Sequence, residues 1–116
     1  MKITRIYPDS DGETHFEDID ILLHDSGIIG LTSRLQIATG IIFRETSADY
    51  DYPWHNAPRR QFVIILEGEV DFTVSDGETR RFGGGDVVLL EDTTGKGHYS
   101  KAVQGQPRQS IFITLD

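Results

Sequence analysis

Apolar residues in this chain alternate with polar ones in short runs and do not recur every three or four positions, so the pattern predicts strands and turns, not amphipathic helices. Val70, Phe72 and Val74 alternate with Asp71, Thr73 and Ser75 as in a half-buried strand, and the following Asp76-Gly77 predicts a tight hairpin of the primed type. Thr79 to Phe82 returns, Gly83-Gly84-Gly85 turns again, and Asp86 to Leu90 reads as another buried strand. The densest apolar stretch is Phe62 to Leu66, where Val63 and Ile65 point one way and Phe62, Ile64 and Leu66 the other. Both faces then need cover. One face suits a barrel interior, and the other needs a second sheet, the N-terminal strand or a partner subunit, which makes a homodimer the expected assembly.

Toward the N-terminus, Phe16 to Leu23 alternates within an acidic stretch and predicts an outer strand flanked by solvated turns. Ser33 to Ser47 is rich in β-branched residues and interrupted by Gly40, so strand, bend, strand is expected there. His98 to Val103 and the terminal Gln109 to Leu115 complete about nine short strands, the spacing of a sandwich or barrel. No repeat or linker divides the 116 residues, and the reading is one all-β domain, with residues 1–30 as outer strand and acidic turns and residues 40–103 as barrel body.

Charge narrows the partners. Nineteen acidic residues against eleven basic ones leave a formal charge of −8, which repels phosphate backbones and anionic membrane surfaces. Neither nucleic acid nor a membrane is an expected partner. No run approaches the ~20 apolar residues of a membrane span, and the first ten residues lack the apolar core of a signal peptide, so the expectation is a cytoplasmic protein. With no cysteine, any metal must rest on imidazole, carboxylate or amide donors.

Candidate chemistry begins at His55-Asn56-Ala57-Pro58-Arg59-Arg60-Gln61, followed after six residues by Gly68. This segment resembles the first motif of the cupin family, His-x-His, three or four residues, Glu, six residues, Gly. His55 and Gly68 match, whereas Ala57 stands in place of the second His and Gln61 in place of the Glu. The second cupin motif, a Gly, a strand, a Pro-x-Gly turn and a His, is echoed by Gly85 to Leu90 and His98, with a turn longer by about two residues and Glu91 at the Pro position. The resemblance covers roughly residues 40–103 and implies a double-stranded β-helix, the cupin jelly-roll barrel. It also implies a divalent metal site in which His55, Gln61 and His98 are the ligands that remain. Replacing a carboxylate by an amide and losing one imidazole lowers affinity for a hard cation.

The expected ligand set for a small, anionic molecule is therefore His55, Gln61, His98 and Ser100, which shares strand parity with His98, with Arg59 and Lys96 as anion clamps. Trp54 reads as loop packing, His15 and His24 as surface or packing residues, and Asp9-x-Asp11-Gly12 as a solvated turn. Three functions compete: a small-ligand binder, a metal-dependent enzyme of oxygenase or isomerase type, and a purely structural module whose barrel is filled with side chains. A cavity of about 300 Å³ or more separates the first two from the third.

Overall fold

A computed structural model describes all 116 residues. Twelve strands follow one another: β1 (Lys2–Pro8), β2 (Thr14–Asp20), β3 (His24–Asp25), β4 (Leu31–Thr32), β5 (Gly40–Thr46), β6 (Asp51–His55), β7 (Gln61–Glu67), β8 (Val70–Val74), β9 (Thr79–Phe82), β10 (Val87–Leu90), β11 (His98–Ala102) and β12 (Arg108–Thr114). They form a six-stranded sheet in the order β2-β1-β10-β7-β12-β5, a four-stranded sheet in the order β6-β11-β8-β9, and the small β3-β4 hairpin. The architecture is the all-β double-stranded β-helix, the jelly roll. The six-stranded sheet takes β1, β2 and β12 from outside residues 40–103, so the barrel draws on both ends of the chain. No helix is long and apolar enough to cross a membrane.

The core lies between the two sheets. Val63, Ile65, Val88 and Phe112 from the larger sheet meet Val70, Phe72 and Val74 from the smaller, all buried. The other side of the larger sheet carries a second, smaller cluster of Ile3, Leu89 and Leu115, against which Ile21 and Phe62 pack. The two-faced strand β7 is thus covered on its inner face and only partly on its outer face, where Leu66 stays 53% exposed.

Several local expectations are corrected. Residues 33–39 are not a strand, because β12, the only neighbour of β5, reaches its last pair at Thr114 opposite Gly40. β1 escapes the alternation pattern since Ile3 and Ile6 are buried on opposite faces. β6 contains Pro53, which a strand tolerates at a sheet edge, the position β6 occupies. The β8-β9 hairpin is not a primed two-residue turn, which needs positive φ at both central residues. Only Gly77 has it, and its N–H bonds the Val74 carbonyl in a longer loop.

Two glycines fix the spacing between elements. Gly68 lies at φ +83° with the Pro107 carbonyl against the space a Cβ would fill, so the β7-β8 turn can close onto the start of β12. Gly97, at φ +74°, lies against the His55 backbone in the same way, and this contact seats β11 beside β6.

Candidate functional site

β6 and β11 are antiparallel neighbours, and His55 pairs with His98 in their register. The rings lie 4.4 Å apart between centroids, with His98 buried and His55 half-buried. Each ring is held from behind by an oxygen: His55 Nδ1 is 2.7 Å from the Pro53 carbonyl, and His98 Nδ1 is 2.5 Å from Asp92 Oδ2. With those acceptors in place, the neutral form of either ring carries its proton on Nδ1 and leaves the Nε2 lone pair available. Tyr52 stacks on His55 at 3.5 Å and fixes its plane. Burial pushes the His55 imidazole below its ordinary value; its bond to the Pro53 carbonyl opposes this, and the nearby His98 adds to it.

Gln61, the first residue of β7, comes from the opposite sheet, is buried, and has no partner for Oε1. Ser100 follows His98 on the same face of β11 and sits 2.8 Å from the Tyr50 hydroxyl. These residues line one cavity of about 210 Å³, to which Arg44 and Arg108 also contribute. The barrel is therefore not filled by its own side chains, although the space falls short of the 300 Å³ expected of a ligand site.

Arg108 is the least ordinary group in the cavity wall. It is 5% exposed, forms no salt bridge, and its Nε and Nη1 have no hydrogen-bond partner. Its guanidinium lies 5.2 Å from the Tyr50 ring centroid, and Arg44 lies 5.4 Å from the same ring. Burial holds the Arg108 guanidinium below its ordinary value, with Tyr50 pulling the other way and Arg44 adding to the depression. An arginine side chain nevertheless stays protonated. Two guanidinium groups thus share a wall with two imidazoles and an amide.

The sequence pattern of the EutQ-like cupin domain matches residues 51–104, which run from β6 through β11 and hold His55, Gln61 and His98. The chain carries a cupin domain. Solved structures agree on the fold of this cupin. Protein NMB1881 from Neisseria meningitidis superposes with a TM-score of 0.53 at 16% identity, over 66% of this chain and 72% of that one. The conserved protein SPY1581 of unknown function from Streptococcus pyogenes gives a TM-score of 0.51 at 20% identity, over 74% of this chain and 69% of that one. No curated protein matches the sequence.

Of the residues singled out in the sequence, the cupin barrel brings His55, Gln61, His98 and Ser100 to one cavity. Arg59 and Lys96 are not there. Arg59 is exposed in the turn before β7, outside the cavity lining, and Lys96 Nζ is 2.6 Å from Glu13 Oε2 because the 91–97 loop packs against the Asp9–Glu13 turn. Arg60 pairs with Glu91, and half-exposed Trp54 meets Tyr99 edge-on outside the cavity. No third His, Cys, Asp or Glu joins the two imidazoles in a metal-holding cluster, since Ala57 lines the cavity where the family's second His stands and Asp92 lies behind His98, bonded to its Nδ1.

Asp92, Arg44, Tyr50 and Arg108 went unnoticed in the sequence. For Arg108 a signal exists: it shares parity with Ser110, Phe112 and Thr114, all buried, so starting the last strand one residue earlier puts it inside. Asp92 is a fully buried carboxylate six residues before His98, and nothing in its acidic, Gly-rich surroundings separates it from a loop acid.

Proposed function

We propose that this cupin binds a small carboxylate-bearing molecule inside the barrel, with Arg108 as the anion's main partner and Arg44, Tyr50 and Ser100 around it. One observation carries the reading: a buried guanidinium with two N–H donors unpaired. Leaving a charge buried without a counter-ion costs several kcal/mol, and a carboxylate is the group that accepts two parallel guanidinium N–H bonds. The wall supports an anion further because its other charged group is also a cation. A volume of about 210 Å³ limits the ligand to a few carbons and leaves no room for a nucleotide.

A metal-dependent enzyme of oxygenase or isomerase type is the second reading. It is favoured by the anchoring of both imidazoles through Nδ1, an arrangement that metal-bound histidines share, and by the unpartnered Gln61 Oε1. His55, Gln61 and His98 would hold a divalent ion, which would polarise an oxygen of the bound molecule as a Lewis acid. The donors are uncharged, one fewer than in the full family motif, and share a cavity with two guanidinium groups, so the fit is to a weakly held ion whose binding a ligand carboxylate would strengthen.

Thermal-shift and calorimetric titration of chelator-treated protein with short mono- and dicarboxylates, phosphate and sulfate test the first reading. At least one carboxylate raises the melting temperature, and Arg108→Met removes the effect; if no anion stabilises the metal-free protein, the reading fails. Metal analysis of tag-free protein tests the second, which requires stoichiometric iron, manganese, nickel or zinc that His55→Ala releases.

A further inference from the structure

We infer that the barrel cavity is built for a short ω-amino acid, whose carboxylate meets Arg108 and whose ammonium group meets Gln61, His55 and His98. The inference rests on the anion reading above and adds the group at the ligand's other end. Unpaired polar atoms in the cavity wall are of two kinds, and they lie at opposite ends. At one end Arg108 Nε and Nη1 are donors without acceptors, and Arg44 flanks the same Tyr50 ring. At the other, Gln61 Oε1 is an acceptor without a donor, on a side chain that is 4% exposed. His55 and His98 have committed Nδ1 to Pro53 and Asp92, so the neutral form of either ring adds an Nε2 acceptor there.

The sheet register sets the distance between the two ends. Arg108 opens β12, and Thr114 at its close pairs with Gln61, so about 20 Å of strand separates the two backbones. The arginine and glutamine side chains take up part of that span from either end, and both line the one cavity. An α-amino acid carries its two charges on a single carbon and cannot meet both ends. A chain with a carboxylate at one terminus and an amine at the other can, and a cavity of about 210 Å³ admits a few carbons between them.

Charge follows the same division. Arg44 and Arg108 make one end positive, whereas at the Gln61 end the fully buried Asp92 carboxylate stands behind His98, with Oδ1 unpartnered. A primary ammonium brings a positive charge and three N–H donors to an amide oxygen and two imidazole nitrogens. A hydroxyl brings one donor and leaves the buried acceptors beside it unpaired, which costs free energy. A divalent ion favours the carboxylate that Gln61 replaces. The same substitutions that weaken a cation site of the metal kind therefore leave one that suits an organic cation.

Calorimetric titration of chelator-treated protein with matched pairs tests this: β-alanine against propionate, γ-aminobutyrate against butyrate, and δ-aminovalerate against valerate, with α-aminobutyrate and butylamine as controls. In at least one pair the amino acid is expected to bind about 10-fold tighter than its plain carboxylate and than either control, the gain from hydrogen bonds to a charged donor. If no pair shows that gain while the carboxylates bind, the inference is overturned and the anion reading stands. If no carboxylate binds, with or without an amine, the anion reading itself fails. Equal binding of α-aminobutyrate overturns the end-to-end arrangement, and equal binding of butylamine removes Arg108 from it. Gln61→Leu should bring the preferred pair's affinity ratio close to one; an unchanged ratio overturns the placement of the ammonium. The ratio compares two ligands on one protein, and the wild-type comparison stands whether or not the variant folds.

Discussion

Two sets of cations in this molecule live under opposite conditions. On β9, Arg80 reaches Asp18 at 2.9 Å and Glu78 at 2.5 Å, and Arg81 reaches Asp71 at 2.9 Å, all in partly or well solvated positions where water alone would suffice. Arg5, Arg60 and Lys96 likewise have carboxylates within 3.0 Å. In the cavity, Arg108 has none, although burial makes pairing far more valuable there and the chain has eight more acids than bases. Pairing has gone where it matters little and is missing where it matters most. The contrast separates charges that keep a surface soluble from a charge whose partner comes from outside the chain.

That contrast can be broken. Arg108→Met, which keeps the length and removes the charge, should weaken carboxylate binding at least 100-fold, about 3 kcal/mol, while the ligand-free melting temperature holds or rises because an uncompensated buried charge is gone. Loss of stability with binding intact would show that Arg108 serves the core and not a ligand. Asp92→Asn, at the buried carboxylate whose Oδ2 bonds His98, should do the reverse to the fold: about 2 kcal/mol of stability lost, read as a fall of about 8 °C in melting temperature, because the charge behind His98 disappears. Arg80→Met should change stability by less than about 1 kcal/mol and leave binding untouched, as solvated ion pairs do.

The smallest effect belongs to His15, which bridges Asp9 and Asp76 at 2.8 Å each and ties the first turn to the β8-β9 loop. Its hydrogen bonds to Asp9 and then Asp76 raise the imidazole above its usual 6.5. The bond from His15 lowers Asp9, and the Glu78 backbone N–H followed by His15 lowers Asp76, each from the usual 3.8. The imidazole's contribution is complete below 6.5 and lost as pH rises through its raised value. The carboxylates' contribution is present above 3.8 and lost as pH falls through their lowered values. Urea midpoints should therefore decline slightly between pH 6 and pH 8.5, and His15→Gln should flatten that slope; an unchanged slope would remove the bridge from the account.

Much of the frame was legible. Alternation along β8 marks a strand because a pleat with one buried face demands period two, turns and apolar runs bound β9, β10 and β12, and His55, Gln61, Gly68 and His98, matched to the cupin motifs, pointed to the barrel and its imidazole pair. Legibility ended where burial and polarity part company. Arg108 reads as a polar residue ahead of a strand and lies 5% exposed, while the apolar Ile28 and Phe43 lie in the open. Lys96 and Arg59 sit near the motif residues in sequence, yet the turns that hold them point them elsewhere.

By itself, then, the order of residues determined the short strands and turns of one all-β domain, because local periodicity and turn chemistry are properties of neighbouring positions, while the likeness to the cupin motifs implied the barrel and the meeting of His55 with His98. Only the tertiary structure decided which cations face inward, that Asp92 stands behind His98, and that Ile28, Leu35, Ile37 and Phe43 are left exposed. Those facts depend on which strands become neighbours, and strands far apart in sequence meet according to the closure of the whole barrel, which no single segment encodes.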